Sequence, residues 1–462
     1  MKIRDINMVY LIGVGGIGMS ALARYFNQPG KKVAGYDLTR TGLTDKLTEE
    51  GIAISYRDDA ETIPACFTRE GSRHDLMVIY TPAIPERNNI FGFFKTGNYN
   101  MVKRSVVLGA LVNEAKGIAV AGTHGKTSVS SLIAHLMSQS GHGCNAFLGG
   151  VLKNFNTNLL VDGNSEFFVV EADEYDRSFL QLYPFIAVIT SMDPDHLDVY
   201  GTFDEMVKAF SVFTRQVKAG GTIICKYGLK TERKSDKGAR FLSYGLDNRA
   251  DYYAFNIRIS AGGTPVFDLL TPSGSYKDLR LGIPGRFNVE NAVAATAAAL
   301  TSGLTVEEVR SGLESFGGVY RRFDFIINKP GKVLIDDYAH HPEELKACIA
   351  AVKEIFPGRE ITGVFQPHLY SRTRDFAGDF AESLEELDNL VLLDIYPARE
   401  EPVAGVSSEL IYRKVKLKNK ILCSREQLTS VIDQMQTDIV IILGAGNIDT
   451  MVEPVKKVLL NK

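Results

Sequence analysis

A chain of 462 residues, at roughly 150 per domain, has the length for about three domains, each able to bury its own core. An apolar fraction of 45%, a charged fraction of 23% and a net charge of −3 describe a globular enzyme with no broad positive field for a polyanion, which argues against nucleic-acid binding. Five scattered cysteines (Cys66, Cys144, Cys225, Cys348, Cys423) form no C-x-x-C pair, so neither a disulfide framework nor a zinc ribbon is expected, and a reducing cytoplasm fits.

Lys2 and Arg4 precede an apolar run from Met8 to Ala23 that superficially resembles a secretory signal. Gly13, Gly15, Gly16 and Gly18 would weaken a signal helix, and they fall where a strand-to-helix phosphate turn needs them. No other apolar run reaches the roughly 18 residues of a membrane span. Strands then alternate with amphipathic helices in three blocks, the pattern of parallel sheets covered by helices. The first block has strands at Met8–Ile12, Lys32–Tyr36 and Asp75–Tyr80, with a helix burying Leu22, Tyr25 and Phe26 between the first two. The second opens with a strand at Gly117–Ala121 and a helix whose Val129, Leu132, Ile133, Leu136 and Met137 keep helical spacing. The third has strands at Val333–Ile335, Ile361–Phe365 and Ile439–Leu443, with helices carrying Leu345, Ile349 and Val352, then Phe376, Phe380 and Leu384. Boundaries near 110 and 320 follow, giving domains 1–110, 111–320 and 321–462. The charged stretch from Lys230 to Arg240 is most simply a solvated loop.

Three groups of residues carry chemistry. Gly13-Val14-Gly15-Gly16-Ile17-Gly18, with Asp37 closing the second strand, lets backbone N–H groups at a helix start meet a diphosphate while the acid binds ribose hydroxyls. The turn suits a dinucleotide and a nucleoside-diphosphate sugar equally, and as an isolated motif it also fits an NAD-dependent oxidoreductase. Gly122-Thr123-His124-Gly125-Lys126-Thr127-Ser128, between a buried strand and a helix, reads as a phosphate loop for ATP or GTP: its N–H groups surround phosphate, Lys126 neutralises charge, and Thr127 can hold magnesium. Later strands end in Glu171-Ala172-Asp173-Glu174 and in Met192-Asp193-Pro194-Asp195-His196. There Glu171 suits magnesium and His196 suits it less, unless the acids simply cap the following helices. The third block carries Asp336-Asp337-Tyr338-Ala339-His340-His341-Pro342 and Gln366-Pro367-His368-Leu369-Tyr370-Ser371-Arg372-Thr373-Arg374-Asp375. Five of the eight histidines (His124, His196, His340, His341, His368) lie in such strand-end loops, which suggests a shared cleft for a small amino acid. Taken singly, His341 before Pro342 also fits a plain helix start and Arg374 a surface cation.

The ordered set GVGGIG, GTHGKTS, VEADE, MDPDHLD, GRFNVENA, DDYAHHP and QPHLYSRTRD, spanning nearly the whole chain, resembles the Mur ligases, and among them the branch that adds L-alanine to UDP-N-acetylmuramate. The resemblance implies three α/β domains: a Rossmann-like amino-terminal domain for the UDP-sugar, a central ATPase-like domain with a mainly parallel sheet, and a Rossmann-like carboxyl-terminal domain that closes over ATP and amino acid. It implies a cytoplasmic enzyme of peptidoglycan synthesis, a monomer or weak homodimer, with ATP as substrate and Mg2+ as cofactor. Thr127 and Glu171 would hold magnesium, with His196 at or near a second ion. Asn288 and Asn291 would contact nucleotide, His340 would handle the amino acid and its proton, and Arg372 would hold the alanine carboxylate. The chain departs from the family pattern at Phe287, where histidine is common, and at Leu369, where arginine is common. Lys208, the lysine nearest to where several members carry a carbamylated one, is poorly spaced for that role. A cell-wall recycling ligase that joins a tripeptide to the same UDP-sugar is the nearest alternative.

Overall fold

The computed structural model describes residues 6–69, 71, 73–194, 197–231, 237–260, 262–398 and 400–461, without the side chains of residues 197 and 198. Among these residues the strands form three sheets. The first has the order Ala53–Ser55, Lys32–Tyr36, Met8–Ile12, Leu76–Tyr80, Asn100–Lys103, all parallel. Val9, Tyr10, Leu11 and Ile12 are all buried, as expected of a central strand covered on both faces. The order reverses beside Met8–Ile12, so the carboxyl end of that strand opens on the crevice where α/β sheets bind ligands. The helix Ile17–Phe26 begins there, and the apolar run from Met8 is thus a strand, turn and helix.

The second sheet runs in order Gly274–Arg280, Pro265–Thr271, Tyr252–Ile259, Arg240–Gly245, Thr222–Lys226, Ile186–Ile189, Lys116–Ala121, Phe167–Glu171, Asn145–Leu152, Thr157–Leu160. Its centre is parallel, and its last pair is antiparallel. Helix Lys126–Gln139 buries the apolar residues whose spacing predicts it. The strands from Thr222 to Arg280 are not announced by any strand–helix alternation, and outer ones such as Gly274–Arg280 are largely exposed. Residues 232–236 of the charged stretch lie outside the described residues.

The third sheet has the order Asp324–Lys329, Lys332–Asp337, Ile439–Leu443, Ile361–Phe365, Asn389–Leu393, Lys420–Cys423, parallel except for the first pair. The chain forms two compact units: residues up to Asn256 with 267–279 and 290–316, and residues 257–266, 280–289 and 317–462. In the first unit the first two sheets share a core, in which Tyr25 of the glycine-turn helix meets Phe147 at 5.5 Å between ring centroids. Buried Asn158, on the edge strand Thr157–Leu160, ties the same helix down: its amide donates to Ile17 O at 2.6 Å and Ser20 Oγ at 3.0 Å, and its oxygen accepts from Arg24 at 2.5 Å. No helix among the described residues is long and apolar enough to cross a membrane.

Candidate active site

The phosphate loop leaves the buried strand Lys116–Ala121 and enters helix Lys126–Gln139 through Gly125, whose φ of +80° is left-handed. A second segment straps it: Thr190 Oγ1 donates to His124 O at 2.5 Å, His124 N donates to Ser191 Oγ at 2.7 Å, and Thr123 Oγ1 lies 2.9 Å from Ser191 Oγ. Lys126 Nζ donates to Gly122 O at 2.7 Å and pairs with Glu174 at 2.9 Å. Burial alone would strip the Lys126 proton, but Glu174, Glu171 and Asp173 together outweigh it and hold the ammonium above its ordinary value. Burial pushes the Glu174 carboxyl up to about 7 against the pull of Lys126. Ser128 lies in the first helical turn. Asn291 approaches the loop: a Cβ on Gly125 would stand 3.0 Å from its Oδ1.

Thr127 Oγ1 donates to Glu171 Oε2 at 2.7 Å, so the hydroxyl and carboxylate that would hold magnesium are already together. Two hard oxygen donors fit an ion that usually keeps several waters and takes its remaining ligands from substrate phosphates. Asp193, in the segment after Ile186–Ile189, lies 3.5 Å from His124 Nε2. His196, with Asp195, lies outside the described residues. Lys208 forms an exposed pair with Glu205 at 2.6 Å.

At the glycine turn, Gly13 has φ +88° and Gly16 precedes the helix. Asp37 accepts from Gly15 N at 2.7 Å and Thr39 N at 3.1 Å, so it braces the turn from the neighbouring strand end. Motif reading does not find Arg104, at the start of helix Arg104–Asn113. Its guanidinium lies so close to Gly18 that a Cβ there would meet Nη1 at 2.1 Å, and it pairs with Asp173 at 3.4 Å. One cation therefore bridges the glycine turn and the acidic cluster beside the phosphate loop. Its partner lies 69 positions away, a separation that no local pattern reveals.

In the second unit, the loops after Lys332–Asp337 and Ile361–Phe365 bring His340 and His368 together, with ring centroids 5.8 Å apart. His368 stacks on Tyr396 at 5.8 Å. His341 is the N-cap of helix Pro342–Ile355, with Glu344 completing a capping box. Arg372 lies in the first turn of helix Tyr370–Leu384, and Arg374 pairs with its neighbour Asp375 at 2.7 Å. Leu369 precedes that helix with φ +71° and no side-chain cap. Glu400 serves instead, accepting from Ser371 N at 2.9 Å and from the Ser371 hydroxyl. Phe287 packs edge-on against Phe323 at 5.4 Å, and Asn288 Nδ2 donates to Pro284 O at 2.7 Å.

Burial pushes the Asp336 carboxyl up to about 7 and the Asp337 carboxyl up to about 6, against the pull of Arg321 and Arg322 respectively. An acid whose folded value is raised binds its proton more tightly when folded, so its stabilising effect is complete below the unfolded value and is lost as pH rises through the folded one. Stability should therefore fall as pH rises from about 4 to about 7. Asp336→Asn should flatten that slope, as read from urea midpoints across the range; an unchanged slope would refute the assignment to Asp336.

Models of the Mur ligase family match the chain in three parts: the family's catalytic domain at residues 8–116, its middle domain at 120–299 and its glutamate ligase domain at 321–446. The UDP-N-acetylmuramate–L-alanine ligase of Parabacteroides distasonis is 49% identical over 459 residues, covering 99% of this chain and 98% of that protein. The enzyme of the same name from Porphyromonas gingivalis is 49% identical over 98% of both chains. Among solved structures, the UDP-N-acetylmuramate-alanine ligase of Thermotoga maritima superimposes with TM-score 0.81 at 26% identity, covering 97% of this chain and 98% of that one. A murein peptide ligase from Psychrobacter arcticus shares the fold, with TM-score 0.72 at 21% identity over 98% and 99% of the two chains. With three sheets in the expected mainly parallel α/β architecture and family matches from Met8 to Gly446, this chain belongs to the Mur ligase family.

Proposed function

We propose that the protein joins L-alanine to the lactyl carboxylate of UDP-N-acetylmuramate, consuming ATP and releasing ADP and phosphate, in cytoplasmic peptidoglycan precursor synthesis. The observation that carries this reading is near-full-length identity of 44–49% to proteins bearing that activity in their names. The five cysteines, none of them in a disulfide, suit a reducing compartment.

The division of labour we propose gives residues 1–110 the UDP-sugar, 111–320 the ATP and 321–462 the amino acid. Backbone N–H groups of Gly13, Gly15, Gly16 and Gly18 would meet the diphosphate, with Asp37 bracing them and Arg104 adding charge. Gly122 through Ser128 would wrap the ATP phosphates, with Asn291 against the loop and Asn288 as a second nucleotide contact. Lys126 would stabilise the γ-phosphoryl group as it passes to the lactyl carboxylate. Thr127 and Glu171 would hold magnesium, with His196 near a second ion; bound there, magnesium supplies neutralising charge to the phosphate oxygens. A carboxylate resists amines, and conversion to an acyl phosphate supplies a leaving group. The alanine ammonium gives one proton to His340, and its nitrogen forms the C–N bond through a tetrahedral intermediate. The C–O bond to phosphate then breaks, and phosphate departs with a second nitrogen proton. Arg372 would clamp the alanine carboxylate through paired hydrogen bonds.

The test is phosphate release with ATP, magnesium and UDP-N-acetylmuramate, supplied with L-alanine, glycine, L-serine or the recycling tripeptide, with mass detection of the adduct. L-alanine-dependent release supports the assignment, and release with the tripeptide alone moves the chain to the recycling branch. Because Glu400 fixes the start of the Arg372 helix, Glu400→Ala should raise KM for L-alanine about tenfold while leaving KM for ATP unchanged. Equal effects on both substrates would assign Glu400 a general structural role.

A further inference from the structure

His340 is held by more than its place in the loop. Its Nδ1 lies 3.0 Å from Tyr338 O and 3.2 Å from Glu344 Oε2. A carbonyl oxygen only accepts, and an ionised carboxylate only accepts, so Nδ1 must carry the hydrogen in the neutral ring. Nε2 is then the acceptor. The same Glu344 oxygen also accepts from His340 N at 2.9 Å and His341 N at 3.2 Å, which fixes the carboxylate relative to the backbone as well as the ring. Glu344 sits in the first turn of helix Pro342–Ile355, a rigid support for an acceptor that must not swing.

We propose that Glu344 is a positioning residue for the ligation: together with Tyr338 O it locks His340 into the Nδ1–H tautomer, presents Nε2 to the ammonium of the incoming amino acid, and stabilises the imidazolium that forms. The logic is that of a base oriented by an acid on its far nitrogen. One proton moves from the ammonium to Nε2, the ring becomes cationic while Nδ1–H stays on the Glu344 side, and the proton later leaves Nε2 for solvent. This rests on the reading of His340 given above; the tautomer itself does not.

Other groups near the ring are Asp337 and Tyr338 on its own strand end, His341 beside it, His368 across from it, and Arg321 and Arg322 over the Tyr338 ring at 5.0 and 4.8 Å. Against these, Glu344 places a carboxylate oxygen 3.2 Å from His340 Nδ1.

The experiment is 15N–1H NMR of the full chain with labelled histidine, with His340 assigned by its loss in His340→Gln. The wild-type ring should show a protonated Nδ1 and an unprotonated Nε2 at pH 8; a protonated Nε2 overturns the proposal whatever the enzyme ligates. Glu344→Gln keeps an acceptor for the backbone N–H groups but loses the charge. Removing a nearby anion disfavours imidazolium, so the acidic limbs of kcat and of kcat/KM for L-alanine should both move about one unit to lower pH. KM for ATP should stay where it is. If Glu344 only caps the helix, both profiles superimpose on wild type. If the wild type shows the predicted tautomer but no alanine-dependent turnover, the functional reading fails and the positioning geometry stands.

Discussion

Lys126→Ala should abolish alanine-dependent phosphate release, a fall of at least about a thousandfold in kcat, or about 4 kcal/mol, while UDP-N-acetylmuramate still binds by calorimetry. The ammonium is anchored to Gly122 O and Glu174, so its charge is held in a fixed place in the loop. The substitution also orphans a buried acid. Removing one partner of a buried pair typically costs about 3–5 kcal/mol when the other stays charged. Glu174 has another course, because burial already lifts its carboxyl to about 7 and without the lysine it takes up a proton. The variant should therefore lose little stability at pH 6 and more at pH 8, as read from urea midpoints. Substantial turnover by the folded variant would remove Lys126 from the chemistry.

Gly122→Ala should be nearly as damaging, by a different route. Gly122 has φ +137°, and a Cβ would stand 2.2 Å from Thr190 Oγ1 and 2.7 Å from Ser191 N. Thr190 and Ser191 are the strap that shapes the loop, so the methyl group displaces the hydrogen bonds to His124. The expected result is about 2–4 kcal/mol of lost stability and a fall in kcat/KM for ATP of about a hundredfold or more. Gly18→Ala is the informative contrast, since its nearest obstacle is the far end of the Arg104 side chain, which can swing aside. Equal loss in both variants would show that the strap at Thr190 is not what matters.

The parts legible in the sequence were those in which neighbours along the chain are also neighbours in function. The phosphate loop, the glycine turn and helix Lys126–Gln139 each occupy one short stretch, and buried parallel strands such as Ile439–Leu443 are apolar throughout. The partnerships were hidden. Arg104 meets Asp173, Lys126 meets Glu174, and Ser371 meets Glu400 only after sheets form, and a salt bridge has no periodicity. Glu344 was hidden differently: it sits in a stretch that reads as an ordinary capped helix start, and its second contact, to the His340 ring, is invisible in spacing. The outer strands of the second sheet escaped because exposed strands such as Gly274–Arg280 lack a continuous apolar signature.

Asn158 bears on how genetic screens of this enzyme should be interpreted. It stands on an edge strand, yet its amide and oxygen clasp three residues of the helix that follows the glycine turn. A lesion there would loosen the helix Ile17–Phe26 from the edge of the second sheet, and cells carrying it would score as ligase-deficient and temperature-sensitive. Such alleles would mark a join inside the first compact unit rather than the chemistry the protein performs.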